Sequence, residues 1–413
     1  MSDAPPSASA PTASAPTASA PTASAPVVLL LQGPRSPFLA RLADALAARG
    51  ARVERVLFCP GDALFWRGRP AVRFRGREGD WPGFVRRLML ERAVTDVLGL
   101  GDGRIWHRTA FAEARALGVR VHVLEQGYLR PGRLTLEPDR LGGWRPGPGD
   151  LDGPDAEPAP AFRSSFAAFA AMDAAHHLAN FALGWARYPH YRSHELHGPV
   201  AEWAGWARKA LTAPRRARGR RRALAALDRT SGPVFLLALQ LETDFQVRDH
   251  GPPGGLRAAL AAVAASFAAH APPDATLVVK PHPLDPGLTP WRRLLRESPA
   301  GGRALWLDGG DLDALLKRCA GVVTVNSTVG LAALGAGAPV ALLGRAVYED
   351  LAWRGPLDGF WRAPPAPGPA RVAAFRGALA RATQLRGAFD GEGMAPGAEA
   401  VAAAVLARAG EGA

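Results

Sequence analysis

Two facing Rossmann-like α/β domains with a cleft between them are the fold class that this 413-residue sequence predicts. Two observations carry the prediction. An apolar run, a Gly-Pro turn, a helically spaced segment and a second apolar run open the ordered part of the chain at Val27. The same alternation restarts at Pro233, after a long middle stretch with helical spacing throughout. Short apolar runs that alternate with segments of period 3.6 are the mark of parallel sheets covered by helices.

The elements follow in order. Residues 1–26 are low in complexity, with three copies of PTASA after MSDAPPSASA. They hold too little apolar surface to fold, so a disordered tail is expected. They also lack the basic and apolar regions of a secretory signal. VVLLLQGPRSPF reads as a strand that ends in a turn, LARLADALAARG as a helix closed by Gly50, and RVERVLF as a second strand. DVLGLGD, HRTAFAEARALG and VRVHVLEQG give a further strand, helix and strand. Leu141 to Pro160 is a Gly/Pro/Asp-rich loop, and Phe162 to about Leu227 is helical. PVFLLALQLETDFQ opens the second sheet. The helix GGLRAALAAVAASFAAHA leads to the strand TLVVKPHP, and RALWLDGG adds another strand. DLDALLKRCAG is a helix capped by Asp311, and GVVTVNSTVG runs from strand into turn. Gly335–Gly337 precedes a strand rather than following one, so it reads as a helix end. The chain has neither a GxGxxG fingerprint nor a Walker loop. The expected domains are residues 27–230, with a helical insert over about 146–230, then residues 231–345, then C-terminal helices over 346–413. Two such domains across a cleft are the GT-B arrangement.

Composition narrows the function classes. No apolar run approaches the length of a bilayer span. Cys59 and Cys319 are far apart and form no metal or redox spacing, which fits a reducing, cytoplasmic compartment. The net charge of +13 comes almost wholly from arginine. It fits an anionic membrane or an anionic substrate, and it also fits composition bias. Six arginines fall between Arg215 and Arg222, so the run from Arg208 to Arg222 is the expected membrane contact.

Four stretches carry candidate chemistry. In LVVKPHPLDPG, prolines hold Lys280 and His282 extended at a strand exit, aimed as two cations at an anion; His282 can hydrogen-bond a phosphate, neutralise one as imidazolium, or be a structural residue fixed by the prolines. In LEQGYLRPG, Glu125 sits at the carboxyl end of a strand, where open sheets meet ligands. It is either an acid/base or the salt-bridge partner of Arg130. LQLETDFQ offers Glu242 and Asp244 with Gln240 and Gln246, as carboxylates for glycosyl transfer or as a cap by Asp244. VNSTVGLAAL sets Asn326, Ser327 and Thr328 at a helix start, which can bind an anion, cap the helix, or do both. Metal binding is not expected: the two DLD triplets read as a loop and a helix start, and His176 and His177 diverge around their helix.

LLLQGPRSPF, EQGYLRP, YPHYR, LQLETDFQ, KPHPLDPG and VNSTVGLAALGAGAPVALLG occur in this order between Val27 and Asp350. Together they resemble the capsule polysaccharide biosynthesis/export family in its KpsS-type branch. The resemblance implies a retaining GT-B glycosyltransferase that transfers a β-linked Kdo, an acidic sugar, from CMP-Kdo to lysophosphatidylglycerol. It implies a cytoplasmic protein, peripheral on the inner face of the cytoplasmic membrane. It would work beside a KpsC-type Kdo transferase and the export machinery, with no nucleic-acid partner. By motif, Lys280 and His282 would meet the cytidylyl phosphate, with Asn326, Ser327 and Thr328 beside them and Gln126 and Gly127 completing the donor contacts. Glu125 would be the acid/base and Asp244 the nucleophile, with no cofactor and no metal. The first domain would take the acceptor and the second the donor. Two other readings stand beside this one. A non-catalytic export or scaffold protein would not need Glu125, Asp244 and His282 together. A UDP-sugar epimerase would expect a UDP site in place of the His-Pro and Asn-Ser-Thr motifs.

Overall fold

The computed structural model describes residues 25–158, 161–193, 196–362 and 364–410, so nearly all of the expected tail lies outside the described residues. In the first domain, β1 (Val27–Leu30), α1 (Phe38–Ala47), β2 (Arg52–Leu57), α2 (Pro60–Trp66) and the two-residue β3 (Val72–Arg73) come first. Next come α3 (Trp81–Glu91), β4 (Asp96–Leu100), α4 (Ile105–Ala116), β5 (Arg120–Gln126) and β6 (Arg133–Pro138). Three helices follow: α5 (Phe166–Arg187), α6 (Pro199–Leu211) and α7 (Ala213–Asp228). The second domain runs through β7 (Val234–Ala238), α8 (Phe245–His250), α9 (Gly255–His270), β8 (Thr276–Lys280), α10 (Trp291–Glu297) and β9 (Ala304–Trp306). It continues with α11 (Leu312–Leu316), β10 (Gly321–Thr324), α12 (Thr328–Gly335), β11 (Val340–Leu342) and α13 (Leu357–Phe360). The chain ends with α14 (Pro369–Thr383), β12 (Gln384–Arg386) and α15 (Met394–Gly410).

The second sheet is parallel throughout, in the order β11-β10-β7-β8-β9. Its central strand VFLLA is buried at every position because helices cover both faces. The first sheet has the order β12-β6-β5-β4-β1-β2-β3. It is parallel from β5 through β3, and β6 and β12 add antiparallel pairs at one edge. The structure therefore has the expected two Rossmann-like domains, the GT-B arrangement, and the alternating apolar runs fall on its strands.

The sequence pattern does not announce α2, α3, α8, α10, β3, β6 or β12. Its C-terminal helices over 346–413 also need correction, because this segment carries a strand. After α14, the chain returns to the first domain and pairs β12 with β6, Gln384 opposite Thr135. Helix α15 then lies on α1, and Val401, Ala402 and Val405 enter the same core as Phe38 and Leu42. Phe389 sets its ring edge-on to Phe38 with centroids 5.1 Å apart.

The helical middle bridges the domains. Helix α5 packs on α2 of the first domain. Helix α6 touches the second domain at Gly205, where a Cβ would come within 2.7 Å of the Pro286 carbonyl oxygen. Part of the basic run also makes contacts within the protein. Arg216 pairs with Asp308 at 2.6 Å, Arg208 donates to the Gly287 carbonyl, and Lys209 donates to the Asp285 carbonyl at 2.7 Å. Three of the run's eight basic residues, Arg208, Lys209 and Arg216, clamp α6 and α7 to the second domain.

The return of the chain makes a stability prediction. Phe389→Ala should cost about 3–5 kcal/mol, the usual loss for a buried phenylalanine, measured by chemical denaturation. An unchanged midpoint would show that the C-terminal segment lies on the first domain without completing its core.

Candidate active site

The carboxyl ends of strands from both sheets meet at one cavity of about 570 Å³. Open α/β sheets bind ligands at this edge, because the side chains and backbone groups there are released from the ladder. Glu125 and Gln126 arrive from β5, Gln240 and Asp244 from the exit of β7, His282 from the exit of β8, and Asn326, Ser327 and Thr328 from the exit of β10. The cleft thus brings together most of the residues singled out in the sequence, and each one's surroundings set what it can do.

Glu125 accepts a hydrogen bond at Oε1 from the Gln126 N–H, 2.8 Å away. Burial pushes its pKa up, and the charge of Asp244 across the cleft adds to the rise, while Arg104 and Arg130 oppose it. Asp244 caps α8, with Oδ1 accepting from the Gln246 N–H at 2.9 Å, and it also lines the cavity. Burial raises its pKa too, against the Gln246 N–H and Arg130. Both readings of Asp244, as cap and as cleft carboxylate, therefore hold at once. Glu242 turns away: it accepts from the Thr289 hydroxyl and faces Arg257 at 3.5 Å.

His282 needs a correction. Its Nδ1 accepts from the Leu284 N–H at 3.1 Å, and that group can only donate, so the ring proton sits on Nε2. Burial lowers the pKa to about 4, and the positive charges of Arg130 and Lys209 push the same way. The ring is a neutral donor, so of the two expected ways to meet a phosphate the hydrogen bond stands and the imidazolium does not. Lys280 is corrected as well. Its Nζ donates to the Gly309 carbonyl at 2.6 Å, and the residue does not line the cavity.

Gly127 and Asn326 also have other work. Gly127 donates to the Arg133 carbonyl at 2.9 Å in the turn between β5 and β6. A Cβ there would lie 2.4 Å from that carbonyl oxygen, so only glycine allows the approach, and Gly127 does not line the cavity. The Asn326 amide joins two segments: Nδ2 donates to the Gln246 carbonyl at 2.7 Å and Oδ1 accepts from Gln240 at 2.8 Å. It holds the cavity wall in place. Ser327 caps α12 through the Val329 N–H at 3.2 Å, and the Tyr348 hydroxyl donates to its carbonyl. Ser327 and Thr328 thus present the start of α12 to the cavity, where backbone N–H groups favour an anion.

Sequence reasoning missed the arginines. Arg130, Arg140, Arg145 and Arg345 all line the cavity. Of the two alternatives for Glu125, the salt bridge with Arg130 is not formed: the Arg130 Nε donates to the Gly127 carbonyl at 3.0 Å, and its charge acts on Glu125 and Asp244 alike. Arg145 pairs with Glu349 at 2.6 Å. The loop Leu141–Pro160 gave no hint that Gly142, Gly143 and Arg145 fold over the site.

A second cavity, of about 280 Å³, shares Glu125 and Gln126 with the first. There the LLLQGPRSPF and YPHYR stretches meet: Gln32 donates to Tyr191 Oη at 3.0 Å and accepts from Arg104 at 3.1 Å. Arg35 pairs with Asp173 at 2.5 Å. Next to this cavity Cys59, Asp62 and His176 place ligand-type atoms within 4.8 Å of one another, a convergence of separate elements that their spacing in the chain does not reveal. Asp62 accepts from the Phe58 N–H at 3.0 Å and from Gln32, and the buried Arg55 sets its positive charge beside it.

Comparison with known proteins gives concordant matches. The family model described as capsule polysaccharide biosynthesis protein matches residues 95–390. The chain is 31% identical over 378 residues to the capsule polysaccharide export protein KpsS of Escherichia coli, covering 87% of this chain and 96% of that one. It is 30% identical over 392 residues to the capsule polysaccharide modification protein LipB of Neisseria meningitidis, covering 88% and 91%. Among solved structures it matches the beta Kdo 2,7 transferase KpsC of Thermosulfurimonas dismutans at 15% identity and a TM-score of 0.41, covering 84% and 89%.

The electrostatics of the cleft can be tested directly. Arg130→Gln should raise the pKa values of both Glu125 and Asp244, because the guanidinium lowers both. Asp244→Asn should lower that of Glu125, which the Asp244 charge raises. Carboxyl-carbon NMR titration reads both shifts. A Glu125 titration unmoved in both variants would mean that the two carboxyls do not share one field.

Proposed function

The chain belongs to the capsule polysaccharide biosynthesis family, and we propose that it is a retaining glycosyltransferase that moves Kdo from CMP-Kdo to a lysophosphatidylglycerol-type lipid. The convergence of Glu125 from one domain with Asp244, His282, Ser327 and Thr328 from the other on a single cavity carries this reading.

The chemistry follows from the positions. Asp244, ionised, attacks the anomeric carbon, and the bond from that carbon to the phosphate oxygen breaks with its electron pair leaving on CMP. Charge gathers on the departing phosphate. The Nε2–H of His282 and the start of α12 with its Ser327 and Thr328 hydroxyls meet that charge without a metal ion. The lipid hydroxyl then attacks the same carbon from the other face and expels Asp244. Glu125 takes the hydroxyl proton, and a carboxylate whose pKa is raised by burial is a stronger base for the purpose. Two inversions give net retention. The charge of Arg130 favours the ionised form of Asp244, and Arg140, Arg145 and Arg345 suit a donor with a carboxylate and a phosphate. The place of action is the cytoplasmic membrane face, beside a KpsC-type Kdo transferase that would extend the product.

Incubation of the protein with CMP-Kdo and lysophosphatidylglycerol, followed by mass analysis of the lipid, tests the reading. An unmodified lipid with unspent CMP-Kdo would favour the scaffold alternative. His282→Ala should lower turnover by at least about 10²-fold, the scale of losing one preorganised donor, with an unchanged melting temperature. In the parent, turnover should not fall as pH rises through the ordinary histidine range, because His282 is already neutral there. A fall in that range that disappears in the alanine variant would restore the cationic role. Trapping with donor alone should leave Kdo on Asp244, mapped by peptide mass spectrometry. An adduct on Glu125 would reverse the two roles.

A further inference from the structure

Exposed apolar side chains cluster in one part of the molecule. Of the sixteen large hydrophobic residues exposed among the described residues, ten lie between Phe166 and Leu211, on α5, α6 and their connection. Helix α5 is inside out. Its inward face carries Asp173, paired with Arg35, and Asn180, which accepts from the Gly61 N–H, together with the buried His176 and His177. Its outward face carries Ala167, Ala171, Ala174, Leu178, Phe181 and Trp185, spaced alternately four and three residues apart, which is one continuous stripe. Phe181 is 71% exposed and Trp185 is 77% exposed. Water is a poor solvent for such a stripe.

We propose that α5 lies in the plane of an anionic lipid bilayer, with the Leu178–Phe181–Trp185 stripe sunk among the acyl chains. Three features single out lipid as the occupant. The stripe is a convex helix face with projecting rings, and it is flanked by the exposed Arg187 and Arg192. The acidic residue between Phe166 and Ser193 is Asp173, which is turned inward onto Arg35, so the outward face opposes anionic head groups with nothing of their own sign. Phe169 and Met172 of the same helix line the cavity that contains Glu125, so a lipid held against α5 has its head group beside the acid/base. No described helix is long and apolar enough to cross a membrane, so the contact is an in-plane one. The exposed Arg215, Arg218, Arg221 and Arg222 of α7 add attraction around this contact rather than forming it.

The inference rests on the lipid-acceptor reading, and the test separates the two. The full chain is floated with vesicles of phosphatidylglycerol and phosphatidylcholine, and F181S/W185S is compared with R215Q/R218Q/R221Q/R222Q. Both side chains changed in the first variant are mostly solvent-exposed, so its melting temperature should match the parent's. F181S/W185S should lose at least about tenfold in vesicle partitioning, whereas the arginine variant should lose less. Hydrogen exchange in the parent should slow over residues 178–187 when vesicles are added. With monomeric lysophosphatidylglycerol below its micellar concentration, F181S/W185S should keep the parent's turnover. If it floats as the parent does, or if the parent is a dimer in sedimentation that F181S/W185S dissociates, the proposal is overturned and the stripe serves a protein contact. A parent that floats through α5 but transfers no Kdo keeps the proposal and overturns the glycosyltransfer reading.

Discussion

Two carboxyl groups from separate domains share one partly dehydrated cleft, and the rest of the site is arranged around that constraint. Removing a carboxylate from water costs several kcal/mol unless partners replace the lost hydration. A like charge nearby raises the cost further. Glu125 and Asp244 meet it with one backbone N–H each, from Gln126 and Gln246, with the Gln240 side chain at Asp244, and with the guanidinium of Arg130 acting on both and that of Arg104 on Glu125. Their pKa values remain raised, because burial outweighs those partners. A site tuned only for stability would supply a direct ion pair to each. This one leaves both carboxyls on the same cavity wall with their pKa values raised by burial.

The position of that cleft follows from how the chain crosses between domains. It leaves the first sheet after β6, bridges through α5, α6 and α7, and enters the second sheet at β7. It then returns through α14 to pair β12 with β6, so the edge of the first sheet nearest the crossing is closed by the end of the chain. Phe245 of the second domain sits against Gly103 of the first, where a Cβ would come within 2.5 Å of its ring. Backbone of one domain and ring of the other therefore meet directly beside the carboxylates, and the arginine clamps of α6 and α7 hold the bridge to the second domain.

Much of this was legible from the chain, for reasons that differ by residue. Glu125, Asp244, His282, Ser327 and Thr328 could be found because each follows an apolar run at a strand exit, and parallel sheets send all such exits to one edge. Lys280 satisfied the same rule and failed it in space, since a long side chain at a strand end can reach either way and the Gly309 carbonyl was available. Asn326 was placed at the cleft correctly, but its amide is taken by Gln240 and by the Gln246 backbone, a bond between segments 80 residues apart in sequence. The charge state of His282 depends on burial and on the Leu284 N–H, neither of which a motif encodes. Strands β6 and β12 are paired over some 250 residues of sequence, and the three residues of β12 carry no pattern of their own.

The arginine excess illustrates the gap between charge as composition and charge as function. Read as a total, it pointed to an anionic partner reached through the densest run. In the fold the same residue type divides among separate tasks. Arg303 donates to the carbonyls of Phe267, Ala268 and Pro272, closing the end of α9 where the backbone leaves acceptors unfilled. Arg381 does the same for Asp150 and Pro154 in the long loop. Arg216 and Arg318 hold α7 by ion pairs, and Arg130, Arg140, Arg145 and Arg345 form the cavity wall. A guanidinium suits all of these because its planar fork can hydrogen-bond a carbonyl or a carboxylate while its charge still acts at longer range. In the run that is densest in sequence, Arg216 is held by Asp308, whereas Arg215, Arg218, Arg221 and Arg222 are exposed. The cavity arginines, few and scattered along the chain, set their positive charge in the wall of the cleft.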